Sequence, residues 1–176
     1  TGCNNFCTYC IVPYVRGREM SRDFRAIESE LFSLAAQGIQ EVTLLGQNVN
    51  SYGRDLYGKT RFAEVLDAAG TCGIPRVRFV TSHPKDLTDE AISKFSSLRS
   101  LMPAIHLPAQ SGSNRILKAM HRVYTREHYL GLIAKLRHAC PEIALSTDII
   151  VGFPGETEQD FEETYSLIDE VGYSQV

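Results

Sequence analysis

Four short apolar runs punctuate the chain, EVTLL (41–45), VRFV (77–80), MPAIHL (102–107) and IALSTDIIV (143–151), and helical periodicity lies between them. Before the first run, FRAIESELFSLAAQG sets Ile27, Leu31, Leu34 and Ala35 at helical spacing and ends at Gly38, which predicts a helix of about four turns with a glycine cap. The helical patterns RFAEVLDAAGTCG, LTDEAISKF, NRILKAM and REHYLGLIAKLRHAC separate the strands, and TEQDFEETYSLIDEVG follows the last of them. Thr157 and Asp160 are spaced as a capping box, and Gly172 closes that final helix.

Strands joined by helices of this length imply parallel pairing with right-handed crossovers. Two α/β architectures satisfy the pattern, a doubly wound open sheet and a complete or partial barrel of the triosephosphate-isomerase kind. The strands read as continuous apolar runs, so helices are expected on one sheet face and further filling on the other. In both architectures chemistry collects at the carboxyl ends of the strands. The unusual segments fall there: GQNVNSYG, TSHP, PAQSGSN and GFPGET.

The chain opens on TGCNNFCTYCIVPYVRGR, where Cys3, Cys7 and Cys10 take up three of its five cysteines. A disulfide needs an even number, and a closed zinc site needs four ligands. Three thiolates in a loop made flexible by Gly and Asn suit a cubane iron-sulfur cluster with one iron left open for a chelating amine and carboxylate. Two alternatives use the same cysteines, a zinc site completed by a distant His and an electron-transfer cluster completed by Cys72 or Cys140.

The spacing CxxxCxxC, with Tyr9 before the last cysteine, resembles the signature of the radical S-adenosylmethionine enzymes. Five blocks in order, TGCNNFCTYCIVPYVRGREMSR, LLGQNVNSYG, RFVTSHP, HLPAQSGSNRILKAMHRVYTREHY and DIIVGFPGETEQDF, resemble the radical domain of the methylthiotransferases nearly end to end. Within that family the chain is most similar to the branch acting on isopentenyladenosine beside the tRNA anticodon. The fold implied is a partial (β/α) barrel of parallel strands, an α/β horseshoe. The resemblance implies a 4Fe-4S cluster on Cys3, Cys7 and Cys10, and S-adenosylmethionine bound near Tyr9, Gly46, Gln47, Gln110, Ser111 and Gly152. The activity implied is transfer of a methylthio group to carbon 2 of the adenine, with no catalytic side chain beyond the cluster ligands.

The same resemblance implies partners and missing parts. A second 4Fe-4S cluster would sit in an N-terminal domain and RNA binding in a C-terminal one, so residues 1–176 read as the radical domain of a longer protein. A tRNA anticodon stem-loop, an electron donor such as flavodoxin or ferredoxin, and a monomeric state are expected. Rival substrates are threonylcarbamoyladenosine in tRNA and a ribosomal protein; a rival of another class is a non-catalytic metal-binding module.

Other candidates have plainer alternatives. Gly46 and Gln47 stand where related enzymes present backbone to the methionyl amine, or form a simple strand exit; Asn48, Asn50 and Ser51 rank below them. Gln110, Ser111 and Ser113 suit ribose hydroxyls or the start of a helix. Gly152 and Pro154 to Glu156 shape the last loop, and Glu156 also suits a helix N-terminus. His83 and His106 read as hydrogen-bonded structural residues, Asp148 as a carboxylate that supports the site, and Cys72 and Cys140 as small hydrophobes.

Arg16, Arg18, Arg22 and Arg25 are a solvated face or a phosphate-binding patch. A net charge of -3 gives the chain as a whole no nucleic-acid signature. No apolar run nears the roughly 20 residues of a membrane span. Unpaired cysteines in this arrangement fit a reducing cytoplasm.

Overall fold

The computed structural model describes all 176 residues, Thr1–Val176. The elements in chain order are α1 (Val12–Val15), α2 (Phe24–Ala36), β1 (Glu41–Leu44), α3 (Arg54–Tyr57), α4 (Phe62–Thr71), β2 (Arg76–Phe79) and α5 (Asp89–Ser97). They continue with β3 (Ala104–His106), α6 (Asn114–Ala119), α7 (Arg126–Ala139), β4 (Ala144–Ser146) and α8 (Glu158–Val171). Each expected helix and strand is present. Additional short turns at Val49–Ser51, Pro84–Asp86 and α3 wind through segments that read as plain loop.

Local chemistry sets the helix ends. Asp23 accepts the Ala26 N–H at the start of α2, and Thr88 and Thr125 accept in the same way at α5 and α7. The expected capping box forms: the Thr157 side chain accepts from Asp160 N–H while the Asp160 carboxylate accepts from Thr157 N–H at 2.9 Å. Gly172 ends α8 in the left-handed conformation.

Strand order decides between the two architectures. β1 pairs with β2 in parallel, Glu41 opposite Arg76 through Leu44 opposite Phe79, and β3 pairs with β4, Ala104 opposite Ala144. A parallel bridge between Val77 and Leu101 joins the two pairs, and another seats Gln175 beside Ser146. Neighbours in space are therefore neighbours in sequence. A doubly wound sheet reverses its order at a switch point, and none occurs here, so the chain forms an arc of barrel.

The helices cover the convex face of that arc, α2 on α4, α4 on α5, α5 on α7 and α7 on α8. Val77, Phe79, Ile105, Leu107 and Leu145 point outward into this layer and meet Leu66, Ala69, Ile92, Leu132 and Leu136. Burial of each large aliphatic side chain is worth about 2 kcal/mol. The concave face corrects one expectation. It is polar and open: Glu41, Thr43, Arg76 and Arg78 are exposed, with Glu41 paired to Arg76 at 2.8 Å and to Arg78 at 3.2 Å. On this open face the carboxylate stays hydrated as well as paired, so polar residues there carry no desolvation penalty of the buried kind.

Candidate functional site

The cysteine loop is shaped from both sides. On one side Cys3 N–H donates to Gly17 O at 3.2 Å, Met20 N–H to Thr1 O at 2.8 Å, and Glu19 N–H to Asn4 Oδ1 at 3.2 Å. Gly2 has φ +72°, and a methyl there would fall 2.0 Å from Arg18 O, so only glycine fits. On the other side the loop rests on the end of α6. Thr8 N–H donates to Met120 O at 3.1 Å, Thr8 Oγ1 to Ala119 O at 3.2 Å, and His121 Nδ1 to Phe6 O at 3.1 Å. Cys10 N–H donates to Cys7 O at 2.9 Å, which closes a turn between the second and third cysteines. Cys7 is buried, whereas Cys3 and Cys10 are partly exposed. Burial pushes the Cys3 thiol up, and the neighbouring Cys7 and Cys10 add to this.

The donor set is three thiols in one loop, the number that a cubane with one open iron takes, whereas a closed zinc site needs a fourth ligand. Neither remaining cysteine joins the loop. Cys72 is buried in the core with its thiol on Ala69 O, and Cys140 packs against that core.

Beside Cys7 stands a residue that the sequence reading did not single out. Arg122 is 7% exposed, and its Nη1 lies 3.6 Å from Cys7 Sγ. Its Nη2 donates to Pro108 O and its Nε to Tyr124 Oη, both at 3.0 Å. The sequence carries no signal for it. Met120, Arg122 and Tyr124 are buried while His121 and Val123 are exposed, so the apolar Val123 faces out and the arginine faces in, against the usual polarity pattern. Tyr124 hands its own proton to Ala109 O at 2.9 Å, and burial pushes its phenol up to about 12. Tyr9, 39% exposed beside the loop, is also pushed up, chiefly by burial.

Across from Arg122, His83 is buried with its ring edge-on to Tyr124. Its Nδ1 accepts Lys85 N–H at 3.3 Å. Burial first, then Arg122 and Lys85, push it down to about 2, so it is a neutral imidazole. His106 instead lies on the concave face, 3.0 Å from Ser146 Oγ and 3.3 Å from Asp148.

The remaining sequence candidates separate into two groups. Gly46 and Gln47 line an open cleft between α2 and β1, with Leu31 and Leu44. Gln110 donates its N–H to Asp148 O and accepts from Ile150 N–H, both at 2.9 Å, with φ +68°. Gly152, in the following loop with φ +73°, gives its N–H to Glu156. Ser111, by contrast, is enclosed: its hydroxyl meets Thr164 Oγ1 at 3.1 Å and accepts Ser113 N–H at 3.1 Å. Ser113 Oγ donates to Asp160 at 2.6 Å and makes no cap for α6. These two serines tie the loop to α8. Among the arginines after the cysteines, Arg22 pairs with Glu30 at 2.6 Å and Arg18 stacks on Phe6 at 5.1 Å.

Backbone strain gathers at the same end. The four non-glycine residues with positive φ are Phe6, Thr81, Gln110 and His121. They lie in the cysteine loop, in the loops after β2 and β3, and at the α6 end that holds the cysteine loop. Strained conformations of this kind cost about 1–3 kcal/mol each and concentrate at functional sites.

Residues 1–168 match the family model described as Radical SAM superfamily. The chain is 61% identical over 173 residues to a tRNA-2-methylthio-N(6)-dimethylallyladenosine synthase of Carboxydothermus hydrogenoformans, covering 98% of this chain and 39% of the relative. It is 62% identical to the protein of the same name from Trichlorobacter lovleyi, of which it spans 40%. Among solved structures it resembles the radical S-adenosylmethionine methyltransferase TsrM of Kitasatospora setae, determined with cobalamin and a 4Fe-4S cluster bound. That match has a TM-score of 0.76 at 17% identity and covers 98% of this chain and 34% of the other. A likeness to the cobalamin-dependent enzyme OxsB has a TM-score of 0.70 at 14% identity and covers 95% of this chain and 25% of the other.

Proposed function

The chain belongs to the Radical SAM superfamily, and from that premise we propose that it is the radical domain of a tRNA methylthiotransferase acting on isopentenyladenosine next to the anticodon. The observation that carries this reading is the 61% identity to a named dimethylallyladenosine methylthio synthase across 98% of the chain. The three-thiol loop at the carboxyl ends of the strands is its chemical counterpart.

Cys3, Cys7 and Cys10 would hold a 4Fe-4S cluster. When bound, that cluster would supply the electron for reductive cleavage of S-adenosylmethionine, the chemistry that would activate carbon 2 of the adenine. The chain's own residues bind and enclose. Tyr9, Gly46, Gln47, Gln110, Ser111 and Gly152 would line the cofactor position, Gln110 with a left-handed backbone. Ser111 also ties its loop to α8 through Thr164.

The fuller protein would carry a second 4Fe-4S cluster in an N-terminal domain and RNA binding in a C-terminal one. A low-potential donor such as flavodoxin or ferredoxin supplies electrons to a monomeric, cytoplasmic enzyme. No helix in the chain is long and apolar enough to cross a membrane.

The test is anaerobic reconstitution of the full-length enzyme followed by electron paramagnetic resonance with and without S-adenosylmethionine. An iron-sulfur signal that responds to the cofactor is expected. It should vanish in Cys7→Ala and persist in Cys72→Ala; a signal retained in Cys7→Ala would sink the ligand assignment. Substrate choice is read separately, on two anticodon stem-loops differing only in the isopentenyl group. An apolar tail gains about 0.8 kcal/mol per buried CH₂, so the isopentenylated loop should react faster. Equal rates on both would refute the substrate while leaving the radical chemistry standing.

A further inference from the structure

Arg122 is a charged group enclosed where no carboxylate meets it. Its three partners are a sulfur, a phenol and a backbone carbonyl. None of the chain's ion pairs includes it. A guanidinium keeps its charge at any physiological pH. Burying it against neutral partners alone costs several kcal/mol. Something must supply the missing negative charge.

The phenol does not. Burial pushes Tyr124 up to about 12, so it remains protonated. Pro108 O is a dipole only. The remaining neighbour is Cys7, whose sulfur becomes a thiolate on binding iron.

We propose that Arg122 is the counter-cation of the iron-sulfur centre, donating an N–H···S hydrogen bond to the Cys7 thiolate and setting how readily the cluster accepts its electron. The inference rests on the cluster assignment above and adds a positioning residue that the three-cysteine motif does not contain. Reduction adds one negative charge to the cluster. A cation 3.6 Å from a ligand sulfur therefore stabilises the reduced form more than the oxidised form. No bond is made or broken at Arg122: one electron passes from a low-potential donor to the cluster, and the guanidinium keeps its protons. Its planar fork also fixes Pro108 O and Tyr124 Oη, so Cys7, the loop after β3 and the end of α6 share one anchor. A lysine keeps the charge but has no fixed fork with which to reach all three.

The experiment compares the full-length enzyme with its Arg122→Met and Arg122→Lys variants. It reads the ratio of reduced to oxidised cluster at a fixed solution potential, from the resonance signal that responds to S-adenosylmethionine. In Arg122→Met the ratio should fall about tenfold, which for a one-electron couple corresponds to about 59 mV. Arg122→Lys should fall less. An unchanged ratio in Arg122→Met at full iron content overturns the proposal. If the Met variant holds no iron, Arg122→Lys decides: iron restored with a ratio less than tenfold below wild type supports the counter-cation, and iron still lost with native circular dichroism, or a ratio tenfold or more down, overturns it. Two variants that both lose native circular dichroism would make Arg122 a structural tie and also overturn it. A wild-type enzyme with no cofactor-responsive signal would instead sink the cluster reading, a separate result.

Discussion

The loops after β1 and β2 and the loop after β3 emerge at the same end of the arc, yet they handle buried polar groups in opposite ways. Around the first two, Asn48 Oδ1, Asn50 Nδ2, Ser82 Oγ and His83 Nε2 are buried with no hydrogen-bond partner in the chain. In the third, Ser111 and Ser113 are equally buried but bonded to Thr164 and Asp160, and Arg115 reaches Asp160 as well. An unpartnered buried polar group costs about 1–3 kcal/mol, so a set of four marks a surface completed by water or ligand. The third loop is instead a staple that fixes geometry. Unpartnered polar groups and a tightly bonded loop thus sit at the same end of the arc.

The strongest way to break this contrast is to part the staple. Gly112 fits against α8 so closely that a methyl would lie 2.4 Å from Glu163 O and 2.7 Å from Thr164 Cα, both backbone. Gly112→Ala should lose about 3 kcal/mol, read as a lowered urea midpoint with unchanged slope. A loss under about 1 kcal/mol would mean that α8 yields easily and is no staple.

A matched pair sharpens the comparison at the level of single hydroxyls. Ser113→Ala removes a bond to a carboxylate and should cost about 2 kcal/mol. Ser82→Ala removes a hydroxyl with no partner and should fall within about 0.5 kcal/mol of the parent. Equal losses at the two serines would erase the distinction between the loops.

The smallest effect is a pH dependence confined to one side. His83 is held down to about 2, mainly by burial, while a histidine in an unfolded chain takes its proton near 6.5. Between those values the unfolded state binds the additional proton, so stability is full above about 6.5 and falls as pH drops. From pH 7.0 to 5.5 the loss should be about 1 kcal/mol. His83→Gln should remove that slope; an undiminished slope would place the responsible group elsewhere.

What sequence conveys and what it withholds follow from the range of each interaction. The ending at Gly38, the capping box of Thr157 and Asp160, and the ending at Gly172 involve residues a few positions apart, and all were legible in advance. The cysteine loop was legible because its three cysteines lie within eight residues of one another in the chain. The concave face misled because strands with apolar runs look alike whether one face or two is buried, and Glu41 meets Arg76 only across the sheet. Ser111 misled for the same reason, since its partner Thr164 stands 53 residues away on α8. Arg122 was hidden by a separation of 115 residues from Cys7.

That separation has a consequence for how the protein comes into being. An arc whose strands pair in chain order can assemble unit by unit as synthesis proceeds, each βα segment docking on the one before. The cysteine loop cannot keep that schedule. Thr8 is clasped by Ala119, 111 residues downstream, so the whole intervening segment must be made before the loop has its seat, and joining such distant parts carries a loop-closure entropy that nearer contacts avoid. Within this domain the cysteine loop is thus made before the helix that seats it and takes its final form after it. Iron that arrived before Ala119 had emerged would meet three loose thiols, whereas iron that arrived afterwards would meet a seated loop.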